Sequence, residues 1–476
     1  MRRMILAALA AAASLSSVAL AANLPASWVD KDTGHRIIRL TNEPGSSGFY
    51  FNVNAYTPDG KEMVYNAPDG IHVLDLATLK TRLLVPNPPS PPGAAPTGRA
   101  FFRRGVHAIV VGHKTNSVFF TKFDETSNRS VLYKADVYTG KVTKLVTLPP
   151  RAMVATVNAD ETLAAGTYNE NPTPPSEEYG RNRPRPSGTA SAAPPGQRGG
   201  FLVQPEGKGE MMMRRLAAHI PVVLFSINLQ TGKVTALLHS TDWIGHMLFS
   251  PSDPTLLMYC HEGLWHDVDR IWMIHTDGTH NTLIHKRTMA MEIAGHEFWG
   301  LDGETIWYDW QYPESEVFYL AGYNLETHKR VAYHMSRNAW SIHFNLTRDL
   351  SLFCGDGGDP GQVADAPDGE WIELLHPEMI PLPPGTLNEP SFWQPGVFHA
   401  EHLVNMSHHD YHLEPNVRFS PDKKLIIFTS NMFGRSYVFA VEVAKAVNPP
   451  ASEIHSTPEL ARQFNPTNPT PTHEIR

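Results

Sequence analysis

The sequence contains only two cysteines among 476 residues, Cys260 and Cys354. A fold held together by disulfides is therefore excluded, and we predict two separate buried thiols. Beyond the N-terminus, no run approaches the ~18 consecutive apolar residues that a membrane span requires. Basic residues are not in excess either, since 40 Lys and Arg stand against 48 Asp and Glu, a net charge of −8. Nucleic acid is therefore not an expected partner.

The one long apolar run lies at the N-terminus and follows two basic residues. Arg2 and Arg3 precede residues 4–20, which are rich in Ala, and Ala19-Leu20-Ala21 supplies a cleavage site. This order is typical of a secretory signal. We predict a signal peptide over residues 1–21 and an exported mature chain with no membrane span.

A turn followed by an apolar strand recurs along the chain, as in the segment Y-T-P-D-G-K-E-M-V-Y. The seven copies begin at Tyr56, His113, Asn158, Phe249, Leu301, Leu346 and Phe419. Where nothing is inserted, the spacing is about 45 to 50 residues, which is the length of a propeller blade. Four short antiparallel strands fit into that length. We therefore predict an all-β fold, a seven-bladed β-propeller forming a single domain over residues 22–447.

Two insertions and a tail interrupt this pattern. Residues 171–209 are crowded with Pro, Gly, Ser and Arg, so we predict a disordered insertion. A short helix over residues 210–219 should follow it, before the fourth blade. Residues 359–395 are predicted to form a Pro/Gly-rich loop over one face of the disc. Residues 448–476 are predicted to be a flexible tail.

The chain has 24 histidines, and several lie just before the repeated motif, where innermost strands begin. His246, His296 and His343 precede three successive motifs, and His409, His412 and Glu414 precede the last one. Imidazoles and a carboxylate gathered at one end of the channel would suit Mn²⁺, Zn²⁺ or Fe²⁺. The alternative is that these histidines only fill the channel and bind water and backbone.

Other side chains at this end could contact a ligand. We predict substrate contacts for His246, His343, Asn54 and Trp265, the last through stacking of its ring on the ligand. For each of them a structural role is the alternative, and for tryptophan a place in the core is the commoner one.

Several motifs together resemble oligogalacturonate lyases. They are C-H-E-G at residues 260–263 with the following W, V-D and R-I-W, G-H-E-F-W at residues 295–299, the His-rich segment before the last F-S-P-D, and the segments at residues 32–45 and 50–61. The resemblance covers nearly the whole mature chain apart from the two insertions. It implies a seven-bladed propeller that cleaves short, often unsaturated oligogalacturonides by β-elimination with Mn²⁺, and such short substrates favour the periplasm.

The resemblance also implies roles for individual residues. The family's metal ligands fall on His296 and on His409, His412 and Glu414, where His replaces a Gln and Glu replaces a His. The base falls on His261 of C-H-E-G. The family uses an arginine near the base, but no arginine lies between Arg215 and Arg270, and Arg270 belongs to the R-I-W strand.

The sequence is compatible with three classes of function. The first is a metal-assisted lyase on oligogalacturonides or on another uronate. The second is a non-catalytic exported propeller that binds a protein or an envelope component. The third, a hydrolase attached to a propeller, is disfavoured because the sequence contains no G-x-S-x-G motif.

Overall fold

The structure is a computed structural model that describes residues 24–88, 105–170, 208–389 and 391–466. The predicted signal peptide and residues 171–207 of the predicted disordered insertion lie outside the described residues. Within these ranges the chain is almost entirely β-structure, as predicted, and none of the helices is long and apolar enough to cross a membrane.

The described strands form six sheets, one of which has eight strands and consists of two antiparallel four-stranded units joined by the parallel pair β21–β25. The strands thus divide into seven units that follow one another along the chain, here called blades one to seven. Blade one contains β3 Glu62–Ala67, β4 Gly70–Asp75 and β5 Thr81–Pro86. Blade two contains β6 Val106–Val111, β7 Ser117–Asp124, β8 Arg129–Asp136 and β9 Val142–Thr147. Blade three contains β10 Ala152–Val157, β11 Leu163–Asn169, β12 Val222–Asn228 and β13 Val234–Ser240. Blade four contains β14 Trp243–Phe249, β15 Leu256–Glu262, β16 Ile271–His275 and β17 Thr282–Leu283.

Blade five contains β18 Ile293–Trp299, β19 Thr305–Gln311, β20 Phe318–Asn324 and β21 Arg330–Met335. Blade six contains β22 Phe344–Leu346, β23 Phe353–Gly355, β24 Trp371–Met379 and β25 Trp393–Asn405. Blade seven contains β26 Arg418–Phe419, β27 Leu425–Ser430 and β28 Tyr437–Lys445, together with β1 Ser27–Asp30, β2 His35–Arg39 and β29 Ile454–His455. This order is consistent with the predicted seven-bladed propeller.

Blade seven joins the two ends of the chain. β2 lies between β28 and β1, so an N-terminal strand pairs antiparallel with a C-terminal one. Hydrogen bonds between the first and last strands hold the blades together and cover sheet edges that would otherwise be open.

The C-terminal residues differ from the predicted flexible tail. β29 pairs in parallel with β1, and helix α2 (Thr457–Phe464) follows it. The buried Trp28 donates from Nε1 to Oγ1 of Thr457 at 2.8 Å, and Leu460 and Ala461 of the helix are buried. Because residues 448–476 are polar and rich in proline, the sequence did not predict that one face of a short helix packs against β1. The prediction is therefore wrong for residues 448–466, and residues 467–476 lie outside the described part.

The predicted loop at residues 359–395 is also partly wrong. β24 and the first residues of β25 lie within it, and the two strands form a long hairpin that continues to Asn405. β25 additionally pairs in parallel with β21 of blade five. The prolines and glycines on both sides of β24 gave no sign of a strand, although residues 372–375 of this strand are buried. The predicted short helix is present as α1 (Lys208–Ala217), two residues earlier than expected. It lies between β11 and β12, inside blade three, and not directly before blade four as predicted, because the strand that follows it completes the third sheet.

A short segment, residues 49–53, lies at the centre of the ring. The buried Arg418 of blade seven donates to the carbonyl oxygens of Phe49, Tyr50 and Val53. Asn52 donates from Nδ2 to the carbonyl of Glu297 in blade five at 3.1 Å. This central segment, which precedes blade one, therefore contacts both blade seven, next to blade one, and blade five, across the ring.

Candidate functional site

Two histidines are presented by the same local distortion in neighbouring blades. The pairing of β14 with β15 shifts register between Gly245 and Leu248, and that of β18 with β19 shifts between Gly295 and Phe298. His246 and His296 lie in these bulges with φ of 45° and 48°. Left-handed backbone is uncommon for residues other than glycine and is often found at functional sites. A bulge changes the direction of a side chain, and here both histidines are directed towards the central segment.

The glycine before His246 is required by a close contact. A Cβ on Gly245 would lie 2.4 Å from Oε1 of Glu262, whereas a Cβ on Gly295 would meet nothing nearer than 3.6 Å. Glu262 therefore packs directly against the backbone of β14, beside His246.

A buried ion-pair group lies next to these bulges. Arg270 donates from Nη1 to Oε2 of Glu262 at 2.8 Å and from Nε to Oε2 of Glu297 at 3.2 Å. Burial by itself would raise the pKa of Glu262, but Arg270 and His246 hold that pKa far below its usual range. Glu262 is therefore a carboxylate at neutral pH, compensated by a guanidinium.

His246 uses this carboxylate as its partner. Its Nε2 lies 3.2 Å from Oε1 of Glu262. Although burial works to lower the pKa of His246, the hydrogen bond to Glu262 and the charge of Glu262 raise it above the usual 6.5. Because a carboxylate only accepts, Nε2 carries the proton and Nδ1 is the basic nitrogen of the neutral ring.

His343 is oriented by a second carboxylate. Its Nδ1 lies 2.8 Å from Oδ2 of Asp356, and its backbone N–H donates to Oδ1 at 2.8 Å. The other nitrogen, Nε2, lies 3.3 Å from the hydroxyl of Tyr50 and 3.7 Å from Oε2 of Glu414. Phe51 stacks on the imidazole with ring centroids 4.4 Å apart. Asp356 thus fixes the tautomer and turns Nε2 towards the centre of the site.

His296 completes the group. Its ring centroid lies 5.2 Å from that of His343 and 4.9 Å from that of Trp265. His246, His296, His343, Glu414 and Trp265 thus lie around residues 50 and 51 of the central segment, as the sequence analysis expected of these five side chains.

Two predicted metal ligands do not join this group. His409 is buried, with Nδ1 3.1 Å from Oγ of Ser430 and Nε2 2.6 Å from the carbonyl of Leu413. Burial lowers the pKa of His409 to about 4, so the ring is neutral and both nitrogens are used within the fold. His412 is 81% exposed and pairs with Asp410. The structure therefore does not bring His409 and His412 together with His296, because their segment has no regular strand geometry to set which way each side chain points.

The predicted base, His261, also lies apart from the group. It is next to Glu262 in β15, and successive side chains of a strand point to opposite faces. Its ring stacks on Trp272 with centroids 5.0 Å apart, and Nδ1 is 3.7 Å from Oδ2 of Asp242. Burial lowers the pKa of His261. The structure therefore places His261 on the face of β15 opposite to Glu262, and does not bring it together with His246.

Asn54 has a structural role instead of the predicted substrate contact. Its Nδ2 donates to the carbonyls of Tyr56 and Val111 at 3.0 and 2.9 Å, and Oδ1 accepts from the N–H of Tyr56. The side chain therefore joins blade one to blade two.

Three residues at the site were not selected from the sequence. Tyr50 lies between His246 and His343, with ring centroids 5.6 and 5.1 Å away. Arg270 was recognised only as part of a strand, and Asp356 was not considered. The signal for Arg270 was its place between the two His-Glu motifs, whose carboxylates can compensate the charge of a buried arginine.

His296, His343 and Glu414 carry donors of a type that suits Mn²⁺, with Nε2 of His343 3.7 Å from Oε2 of Glu414 and the two imidazole centroids 5.2 Å apart. Among the described residues, however, the three-donor group whose ligand atoms all lie within 4.8 Å of one another is His246, Cys260 and Glu262. It contains a thiol and lies beside Arg270, so it is a poor match for Mn²⁺.

The second half of the chain is similar in sequence to a known family. Residues 216–447 match the family model described as oligogalacturonate lyase. The oligogalacturonide lyase of Pectobacterium atrosepticum is 27% identical over 230 residues, 47% of this chain and 56% of the relative. The oligogalacturonate lyase of Dickeya dadantii is 27% identical over 237 residues, with the same two shares. The chain therefore spans little more than half the length of these relatives.

Solved structures extend the likeness to the whole fold. An oligogalacturonate lyase in complex with manganese has a TM-score of 0.61 at 20% identity, over 90% of this chain and 96% of that one. An oligogalacturonate lyase from Vibrio parahaemolyticus has a TM-score of 0.63 at 20% identity, over 88% of this chain and 96% of that one. At this level of identity the likeness concerns the fold.

Proposed function

Since the chain resembles the oligogalacturonate lyases in the sequence of its second half and in its fold, we propose that it is a lyase that cleaves short oligogalacturonides by β-elimination. The observation that carries this proposal is the gathering of His246, His296, His343 and Glu414 around one end of the central segment. A sugar acid placed there would meet cationic, basic and metal-binding groups at once.

The reaction must remove a weakly acidic proton. Elimination at a 4-linked uronate takes the proton from C5, α to the carboxylate, forms a double bond between C4 and C5, and breaks the C4–O4 bond. A divalent cation, Mn²⁺ by analogy with the manganese complex, would stabilise the negative charge that develops on the substrate carboxylate. His296, His343 and Glu414 would hold that ion.

We propose His246 as the base, in place of His261. Its Nε2 proton is directed to Glu262, which leaves Nδ1 to accept the C5 proton. An imidazole whose pKa is raised above the usual 6.5 by a neighbouring carboxylate is well matched to this step. Arg270 keeps Glu262 charged and so stabilises the imidazolium that forms. The departing O4 takes its proton from solvent.

A non-catalytic binding module is the second candidate. It is favoured by the central segment, since Phe51 and Asn52 contact blades five and six and occupy the channel where a ligand would otherwise enter. Such a protein would bind an oligouronide or another exported ligand and leave it unchanged.

The discriminating experiment is a UV assay for the conjugated double bond. Digalacturonate and its unsaturated analogue are incubated with the purified protein, with EDTA, and with Mn²⁺ restored. We expect absorbance to rise, to stop with EDTA and to recover with Mn²⁺. If galacturonides stay intact but another oligouronide is cleaved, the substrate is wrong. Binding without cleavage of any oligouronide supports the second candidate.

We also propose that the chain is exported to the periplasm. The support is the sequence of residues 1–21, with its two arginines, apolar run and cleavage site. N-terminal sequencing of protein from a periplasmic extract should begin at Ala22. Recovery of the full-length chain in the cytosolic fraction alone contradicts the proposal.

A further inference from the structure

Cys260 has no part in the proposed reaction, yet it lies beside His246 and Glu262, which both take part in it. Cys260 and Glu262 are two residues apart in β15, so their side chains share the face that meets Gly245 and the bulge. The bulge adds His246 to that face. One imidazole nitrogen, one sulfur and one carboxylate oxygen thus come within 4.8 Å of one another.

We propose that His246, Cys260 and Glu262 form a binding site for a thiophilic divalent cation such as Zn²⁺, separate from the site of His296, His343 and Glu414. Nitrogen, sulfur and oxygen donors in a set of three, with a fourth position open, match the coordination of zinc. The thiol distinguishes this site from an oxygen-rich or imidazole-rich one, since sulfur favours softer ions.

The two oxygens of Glu262 have different partners, which leaves one available to an ion. Oε2 accepts from Arg270 at 2.8 Å, and Oε1 lies on the side of His246, 3.2 Å from Nε2. The Cys260 thiol lies within 4.8 Å of this carboxylate, and burial together with the charge of Glu262 raises the pKa of the thiol. A cation at Oε1 would therefore take the place of the proton that His246 now directs at Glu262.

The charges around the site balance when the cation is bound. The thiol must lose its proton to ligate, so the negative groups would be Cys260, Glu262 and Glu297. Arg270 and a divalent cation supply the same total positive charge. Arg270 also keeps its contact with Glu297, 3.2 Å from Oε2, and need not leave.

The consequence for catalysis rests on the proposed function. If His246 is the base, an ion on its ring prevents it from accepting the C5 proton. We therefore expect Zn²⁺ to inhibit cleavage and added Mn²⁺ not to restore it, because the two ions occupy different donors.

The site itself is tested without any substrate. Cd²⁺ is titrated into the purified metal-free protein, and the thiolate-to-cadmium charge-transfer absorption is followed. We expect a band that saturates at one ion per chain and is displaced by Zn²⁺. The Cys260→Ser variant should lose the band, whereas Cys354→Ser, which removes an equally buried free thiol, should keep it.

A second variant covers the case in which Cys260→Ser does not fold. His246→Asn preserves a residue type that tolerates left-handed backbone, and we expect it to weaken Zn²⁺ binding about tenfold or more. Absence of a band in the wild type, a band in folded Cys260→Ser, loss of the band in Cys354→Ser, or unchanged affinity in His246→Asn each overturns the proposal. Because these readouts need no turnover, failure of the lyase assay leaves them interpretable.

Discussion

At the scale of the residue, His246 and His261 are held by different partners and invite a direct comparison. We expect His246→Asn to lower kcat by about 10²–10⁴-fold, the usual contribution of a general base. His261→Asn should leave kcat near the wild-type value, because that ring stacks on Trp272 away from the site. Initial rates in the UV assay measure both. The reverse ranking would restore His261 as the base.

The pH dependence follows from the same contact. The base acts in its neutral form, and the pKa of His246 is raised above 6.5 because Glu262 outweighs the effect of burial. We therefore expect kcat/KM to rise with pH through a midpoint above 6.5. A midpoint below that value contradicts the pairing with Glu262, since burial alone would lower the pKa.

A second prediction at this scale concerns the orientation of His343. Asp356 fixes its Nδ1 proton, and loss of such a partner typically weakens metal binding by roughly 10–100-fold. We expect that loss for Mn²⁺ in Asp356→Asn, measured by calorimetry. His412→Ala should bind Mn²⁺ as the wild type does, because that side chain is exposed and pairs with Asp410. Equal effects of the two changes would rule out our choice of ligands.

At the scale of the element, the repeated bulge gives a matched pair of variants. Gly245→Ala places a Cβ 2.4 Å from Oε1 of Glu262, a buried group that cannot move without losing Arg270. Gly295→Ala, at the equivalent position of blade five, meets only an ordinary contact at 3.6 Å. We expect the first change to lower both Tm and kcat, and the second to have little effect on either. Differential scanning calorimetry and the UV assay test this, and similar behaviour of both variants would contradict the assigned packing.

At the scale of the whole molecule, stability depends on the junction of the two chain ends. Trp28 of β1 is fully buried, packs edge-on against Phe433 and Phe439, and donates to Thr457 of α2. We expect Trp28→Ala to lower the free energy of unfolding by about 3–5 kcal/mol, as for other buried aromatic truncations. Urea denaturation measures the change, and Val447→Ala, at an exposed position, is the control. If Trp28→Ala lowers the free energy of unfolding by less than Val447→Ala does, the two chain ends are not joined in solution.

The all-β class and the order of the blades followed from the sequence. Each copy of the motif carries its own turn residues and its own alternation of apolar side chains, and both act over a few residues. The same local rules missed β24 and α2, because proline-rich and polar stretches become ordered there only through contacts with distant strands.

Some residues of the site could be predicted from the sequence, whereas others became evident only from the tertiary structure. Strand position identified His296 and Glu414, since residues before the innermost strands meet at one end of a ring. Only the three-dimensional packing decided that Glu262 and not His261 faces the site, that His409 bonds to Ser430, and that Arg270 is buried between two carboxylates. The physical reason is that a bulge or an irregular loop changes the direction of a side chain without changing the pattern of residue types, so its direction is set by the neighbours it packs against.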